Sequence, residues 1–552
     1  MPDASSSPVV RVIPLGGIGE IGKNISVVEC GDDLVIIDCG LTFPREEGKF
    51  GVDIVLPDFS YLLENASRVK ALVLTHAHED HIGAVPYLLR DLKVPKVLAT
   101  RLTTALVKSK VDEFGLLGAT EWVEVVPEDD PVSVGGFELE FVRVAHSVPD
   151  GVAVAVHTPH GTVFFTGDLK LDPSPLDGIP TDLGHIAEIG SDGIALYLAD
   201  STQADVPGHT RSERSLAGPL RDVCSKAPGR IIATCFSSHI HRLQQFIDIA
   251  QEEGRAVCIL GRSMTRNTNI ARNLGYMDAD GVQFLKPNQL ADHEPHKVMV
   301  LCTGSQGEPL AALSRYAAGT HPHLKPDALD TVVFSSRTIP GNDTRVHRIQ
   351  NGLAKVGAHL VSSENAHVHV SGHGSSSELL TLLQLVRPTT FVPVHGEWRH
   401  MRAHAELARA VGITDERILL VENGSVIELR DGQARLTDEF VTVGELLVDR
   451  TSNDEILEDV LEERQQASED GVLVVVAHET SGTLELISRG FVEDEDGLLD
   501  DARKAAEDFL VDASGTRFDQ RELSRMLQEA VEGVVHDRSR RSPLVVPVVL
   551  AD

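Results

Sequence analysis

Six residues constrain this chain more than any others. His76-Ala77-His78-Glu79-Asp80-His81 packs three imidazoles and two carboxylates into one short stretch. The apolar run Val69 to Leu74 before it has strand length, and residues 82–90 after it carry apolar side chains at helical spacing. The cluster is therefore expected at the C-terminal end of a strand, where a helix begins. Open α/β sheets bind ligands at such ends. Neutral imidazoles with carboxylates suit zinc and similar divalent metals. The neighbours Asp80 and His81 cannot easily join His76 and His78 on one small ion, so the pattern points to two metals side by side. The competing reading is a polar loop that happens to be rich in histidine.

The same placement recurs downstream. An alternating strand, Phe137 to Val144, leads to His146. A hairpin around Pro159-His160-Gly161 leads to Asp168. Strands 193–198 and 389–394 lead to Asp200 and to His395. Near the start, Gly17-Ile18-Gly19-Glu20-Ile21-Gly22 matches the dinucleotide fingerprint. That fingerprint must open a helix, but residues 24–29 alternate, Gly31-Asp32-Asp33 turns, and Leu34 to Ile37 is again a strand. A β-hairpin is expected instead, with Asp38 at its end placed to orient a metal ligand.

At 552 residues the chain is too long for one core, and two or three domains are expected. No apolar run reaches membrane-spanning length, and the first residues, Met1 to Pro8, lack the basic and apolar regions of a signal peptide. The six cysteines are scattered without a Cys-x-x-Cys pair, which fits a reducing cytoplasm and argues against thiolate metal sites. A net charge of −33 argues against non-specific coating of nucleic acid. Between residues 208 and 275, however, basic residues outnumber acidic ones, and that stretch is a candidate groove.

From about residue 207 the pattern becomes regular strand–helix alternation, the mark of a parallel α/β domain. Its strand ends carry Ser237-Ser238-His239-Ile240-His241-Arg242, Thr303-Gly304-Ser305-Gln306-Gly307-Glu308 and the loop 335–342. Hydroxyls, backbone N–H groups and arginine at helix starts are what a phosphate needs. The expected organisation is a first metal domain part over 1–206, the inserted domain over 207–364, the returning part over 365–446, an acidic linker or solvated helix over 447–465, and a small C-terminal domain over 466–552. The apolar last strand, 543–550, would complete a sheet or form a subunit contact.

Taken together, Thr75 to His81, His146, Asp168 and His395 resemble the metallo-β-lactamase superfamily. The inserted α/β domain resembles its β-CASP nucleases. Leu15 to Asn24, Thr303 to Glu308 and Pro393-Val394-His395-Gly396-Glu397 are similar to bacterial ribonuclease J over nearly the whole chain. The resemblance implies an αββα metallo-β-lactamase sandwich carrying a parallel α/β insertion and a small α+β C-terminal domain. It implies two divalent metals per subunit, zinc or else manganese. His76, His78 and His146 would hold one; Asp80, His81 and His395 would hold the other; Asp168 would bridge them. Asp38 would support the site. Asp200, His373 and His395 match three β-CASP motifs, with His373 as proton donor or transition-state stabiliser beside Asp80 and Asp200. Ser238, His241, Arg242, Ser305, His369 and Ser371 would bind the RNA backbone and a 5′-phosphate. Glu79 is expected to point away from the metals.

By the same resemblance the chain would be a cytoplasmic, metal-dependent ribonuclease. A water shared by two metals has its pKa lowered towards neutrality and becomes the nucleophile on a phosphodiester. Exonuclease action from a 5′-monophosphate end of single-stranded RNA is implied, with endonuclease action beside it. A role in RNA maturation and mRNA decay, and a homodimer or homotetramer, are implied as well. Three alternatives use the same residues: a small-substrate hydrolase of lactone or β-lactam type, a tRNA 3′-processing nuclease, and a non-catalytic RNA-binding scaffold. The first two would not need the insertion. The third would be expected to have lost ligands, and all seven positions are filled.

Overall fold

The structure, a computed structural model, describes residues 8–44, 51–339, 341–449, 454–478, 483–491, 497–513 and 520–550. Met1 to Ser7, Pro340 of the loop 335–342, and Asp519 lie outside them. The chain divides into one unit over Met1–Phe43 and Val55–Leu446 and a second over Pro44–Ile54 and Leu447–Asp552.

Two mixed sheets face each other in the larger unit. The first has eight strands in the order Gln433–Phe440, Ser425–Arg430, Val10–Gly16, Ile25–Cys30, Asp33–Ile37, Val69–Val73, Lys96–Ala99, Glu121–Glu124. The second has six, in the order Thr390–Val394, Ile194–Asp200, Gly161–Phe165, Gly151–Thr158, Phe137–Val144, Val132–Val134. Their inner faces share one core, in which Val12, Val35 and Val73 meet Val152, Val154 and Leu198. The outer face of the second sheet is covered too. Ala153, Ala155 and Tyr197 pack with Ile186, Leu382 and Ala405 of the helices Leu183–Asp192, Ser376–Val386 and Trp398–Ala410. The strand Gly151–Thr158 is therefore buried on both sides and reads as a continuous apolar run. Each such valine or leucine contributes about 1.5–3 kcal/mol of burial, enough to fix register against slippage.

Register then decides which polar residues meet. Asp200 pairs with Val394, so Asp200 and His395 leave neighbouring parallel strands together. Ile37 pairs with Val73, which brings Asp38 beside Thr75. The hairpin Ile25–Cys30 with Asp33–Ile37 is antiparallel, and no helix follows the glycine-rich segment. The insertion is a parallel six-stranded sheet ordered Phe284–Leu285, Ala256–Leu260, Val298–Cys302, Ile231–Thr234, Thr331–Phe334, His359–Val361. In the second unit the last strand, Leu544–Leu550, completes a sheet by pairing in parallel with Val472–His478. Of the expected acidic segment 447–465, residues 450–453 lie outside the described residues, Asp454–Glu455 is a short strand, and residues 458–465 open the helix Glu458–Asp470.

Candidate active site

The C-terminal ends of the two facing sheets meet at one point. From the first come His76 and His78, in the loop after Val69–Val73, and Asp80 and His81, in the helical turn Glu79–Ile82. From the second come His146, Asp168, Asp200 and His395. Gly40 is what allows this turn to close. A Cβ on it would sit 1.6 Å from the carbonyl oxygen of Asp80.

The ring nitrogens converge in two sets. His78 Nδ1 lies 3.2 Å from His76 Nε2 and 3.1 Å from His146 Nε2. Asp168 Oδ2 stands 3.5 Å and 3.7 Å from those two Nε2 atoms. On the other side His395 Nε2 is 3.3 Å from Asp80 Oδ2, and His81 Nε2 is 3.2 Å from Asp168 Oδ1. The two oxygens of one carboxylate thus face different sets.

The opposite edge of each ring is held. His81 Nδ1 donates to Asp38 Oδ2 at 2.7 Å, and Asp38 Oδ1 accepts the Thr75 N–H at 2.8 Å. His146 Nδ1 donates to the Gly372 carbonyl at 2.7 Å. Thr75 Oγ1, Ser147 Oγ and Thr202 Oγ1 stand beside His76 Nδ1, His78 Nε2 and His395 Nδ1. These partners engage the outer nitrogens and fix the orientation of each ring, so that the other nitrogen faces inward. Asp38 and His395 both have positive φ, +60° and +51°, a backbone state that such sites retain.

Charge divides along the same line. Burial holds His76 and His146 well below the usual imidazole range and lowers His78 to about 4. Burial also works downward on His81 and His395. At His81 it is outweighed by Asp168, Asp38 and Asp80, and at His395 by Asp168, Asp200 and Asp80. His81 is raised well above its usual value and His395 to about 10. Asp168 is driven well below the carboxylate range, the effect of burial being outweighed by His395, His81 and His76.

Whether metals fit can be judged from these atoms. Three neutral ring nitrogens cannot all satisfy one another by hydrogen bonds, and a cation at their focus would. Asp168 Oδ1 is buried without a partner of hydrogen-bond geometry among the described residues. His76, His78, His146 and Asp168 offer donor atoms within 4.8 Å of one another, as do Asp80, His81, Asp168 and His395. Neutral imidazole with carboxylate is a donor set for divalent zinc, manganese or iron.

His373 lies at the rim. Its Nδ1 is 2.6 Å from Asp200 Oδ2, and 18% of its side chain remains exposed. Burial lowers its pKa, but Asp200 and Asp168 outweigh that and raise it. The loop that carries it is tied to the metal-type residues. Gly372 leaves no room for a side chain, since a Cβ would come within 2.6 Å of His146 Cε1.

The expected phosphate ligands divide. Ser238 and Ser305 follow the adjacent strands Ile231–Thr234 and Val298–Cys302, at the C-terminal edge of the inserted sheet. His369 carries a buried Nδ1 without a partner among the described residues. Ser371 Oγ accepts the His373 N–H. Arg242 does not fit the expectation. It has no exposed surface, its Nη2 pairs with Glu213 at 2.8 Å, and its Nη1 donates to Ser335 and to the Val368 carbonyl. This guanidinium ties both chain crossings to the insertion and is not available to a ligand. His241 Nε2 likewise stands 3.3 Å from Asp177 Oδ2. Glu79 points to Lys110, 2.6 Å away.

Other functional residues were not anticipated. Asn24 Nδ2 donates to the Asp80 carbonyl at 3.0 Å, and the His395 N–H donates to the Gly17 carbonyl. The glycine-rich segment therefore braces the second set. Lys170, 1% exposed, donates to the Ser371 carbonyl at 3.2 Å and holds the loop of His373. Its place beside Asp168 in the sequence was the available signal.

Matches to known proteins follow this geometry. Residues 18–214 match the metallo-beta-lactamase superfamily, 228–353 the ribonuclease J beta-CASP domain, 360–418 the Zn-dependent metallo-hydrolase RNA specificity domain, and 459–551 the ribonuclease J C-terminal domain. The fold and site thus define a metallo-β-lactamase-type hydrolase with a β-CASP insertion. Ribonuclease J of Mycolicibacterium smegmatis is 41% identical over 98% of this chain and 97% of its own. Ribonuclease J of Thermus thermophilus is 40% identical over 98% and 95%, and ribonuclease J2 of Bacillus subtilis 36% over 98% and 98%. The chain belongs to the ribonuclease J family of metal-dependent nucleases. A solved structure of a protein of unknown function from Enterococcus faecalis V583 shares the fold, with a TM-score of 0.52 and 17% identity over 76% of this chain and 100% of that one.

Proposed function

We propose that this metal-dependent ribonuclease removes nucleotides from the 5′ end of single-stranded RNA and favours a 5′-monophosphate. The observation that carries the reading is the segment His369 to His373. Ser371 is two residues from His373, hence within about 7 Å of it along the chain. A terminal phosphate at Ser371, His369 and Ser238 would then lie about one nucleotide from the metal-type residues. A triphosphate would overfill that space.

His76, His78 and His146 would hold one divalent ion, and Asp80, His81 and His395 the other, with Asp168 between them. Zinc suits this set, and manganese is the alternative. When bound, the pair supplies an acidified water and neutralises charge on the phosphoryl oxygens. The chain's own residues do the rest. Asp38 and the Gly372 carbonyl hold the rings of His81 and His146 in place. Asp200 accepts from His373 Nδ1 and, with Asp168, favours the charged form of that imidazole against the effect of burial. Nε2 is then the atom that gives a proton to the departing 3′-oxygen.

The test uses one RNA labelled at its 5′ end and offered with a monophosphate, a triphosphate or a hydroxyl, in zinc and in manganese. Labelled mononucleotide, released fastest from the monophosphate, is the expected result. Internal fragments indifferent to the 5′ group would overturn the reading.

A further inference from the structure

The basic stretch 208–275 is not used by the metal centre. Two of its arginines open the helix Arg262–Leu274, which follows the inserted-sheet strand Ala256–Leu260. Gly261 at its start offers no side-chain cap to the first-turn N–H groups. Arg262, Thr265, Arg266 and Asn269 share one face of that helix by their spacing. With His321 and His323 they line a cavity of ≈ 480 Å³, a size that holds a nucleotide-scale group.

A second feature points to a ligand. His321 is only 9% exposed, yet its ring lines the cavity. Its Nδ1 accepts the His323 N–H at 3.3 Å, which leaves Nε2–H as a donor without a partner among the described residues. Burial and the neighbouring Arg315 keep the ring neutral. Arg266 is committed to Glu113, whereas Arg262 forms no ion pair among the described residues. Arg262 and the His321 Nε2–H thus face the same cavity, both without a carboxylate partner among the described residues.

From this we infer that the cavity is a phosphate-binding site separate from the metal centre, built by Arg262, the helix N–H groups and His321 Nε2–H. A phosphate is acceptor-only and matches a guanidinium fork, free backbone N–H groups and an imidazole N–H. The site lies two strands from the one that leads to Ser238, about 10 Å along the same sheet edge. The phosphate belongs either to the backbone of a bound RNA strand or to a free mononucleotide.

The test is protection of Arg262 from phenylglyoxal, read by peptide mass spectrometry. The full-length chain carries His373→Ala to slow cleavage, and exposed Arg430 serves as control. The probes are a short oligoribonucleotide with a 5′-hydroxyl, AMP and inorganic phosphate. Severalfold slower modification of Arg262 with the oligoribonucleotide alone assigns the site to the RNA backbone. Slowing by AMP or inorganic phosphate assigns it to a free phosphomonoester. Thr265→Glu, which sets a carboxylate in the cavity, should abolish either protection. No protection by any probe, or protection that persists in Thr265→Glu, overturns the inference. The 5′-hydroxyl keeps this result independent of the terminal-phosphate reading.

Discussion

The two halves of the candidate metal centre use the same residue types and differ in charge. Around His76, His78 and His146 the near neighbours are mostly other imidazoles, and burial leaves the rings neutral. Around His81 and His395 stand Asp38, Asp80, Asp168 and Asp200, and the rings hold protons. A cation entering the first half displaces no proton at neutral pH. One entering the second half must displace them. Identical ligand chemistry thus gives two sites with different dependence on pH, set by what stands behind the rings.

Asp168→Asn attacks both halves at once. Several kcal/mol of charge stabilisation depend on it, so activity should fall by roughly a thousandfold or more, with both metals lost by elemental analysis. Retention of two metals would show that the halves do not share this carboxylate. Gly372→Ala should disturb the first half alone by pressing on His146, lowering kcat by ~10²-fold while the second metal is kept. Equal loss of both metals would break the division. The pH dependence sharpens it. His395 is raised to about 10, so its proton is present below that pH and must leave when a metal binds. Affinity in the second half should therefore rise by up to about tenfold per pH unit between neutrality and 10, for each proton displaced. First-half affinity should stay flat above about pH 5, since His78 titrates near 4. Calorimetry in buffers of different ionisation enthalpy reads both. The smallest effect belongs to Asn24→Ala, which removes the side-chain donor to the Asp80 carbonyl and the contact with His81 Nε2 while the backbone N–H of residue 24 still holds that carbonyl; it should weaken the second metal about tenfold and leave the first unchanged.

Much of this centre was legible because its chemistry is compressed. Three imidazoles and a carboxylate stand in one short stretch, and the remaining residues each follow a strand whose alternation is clear. Arg242 was misread because a basic residue at a helix start looks the same whether it meets solvent or a buried carboxylate. Its partner Glu213 lies 29 residues earlier in the chain, and nothing local links them. The helix Trp398–Ala410 went unnoticed because its buried face is His400, Met401, His404, Ala405 and Ala408, which lacks a bulky apolar stripe. Asn24 and Lys170 act through backbone carbonyls of distant residues, a kind of contact that residue type does not announce.

The Arg242–Glu213 pair bears on how such an enzyme could be recombined. Glu213 belongs to the outgoing crossing and Arg242 to the inserted domain, and both are buried. An insertion exchanged between related enzymes without its matching crossing would strand one of these charges, at a cost of about 3–5 kcal/mol. The heritable module is therefore the insertion together with its two hinges, and chimeras cut inside the hinges should fold poorly even when each parent domain is intact.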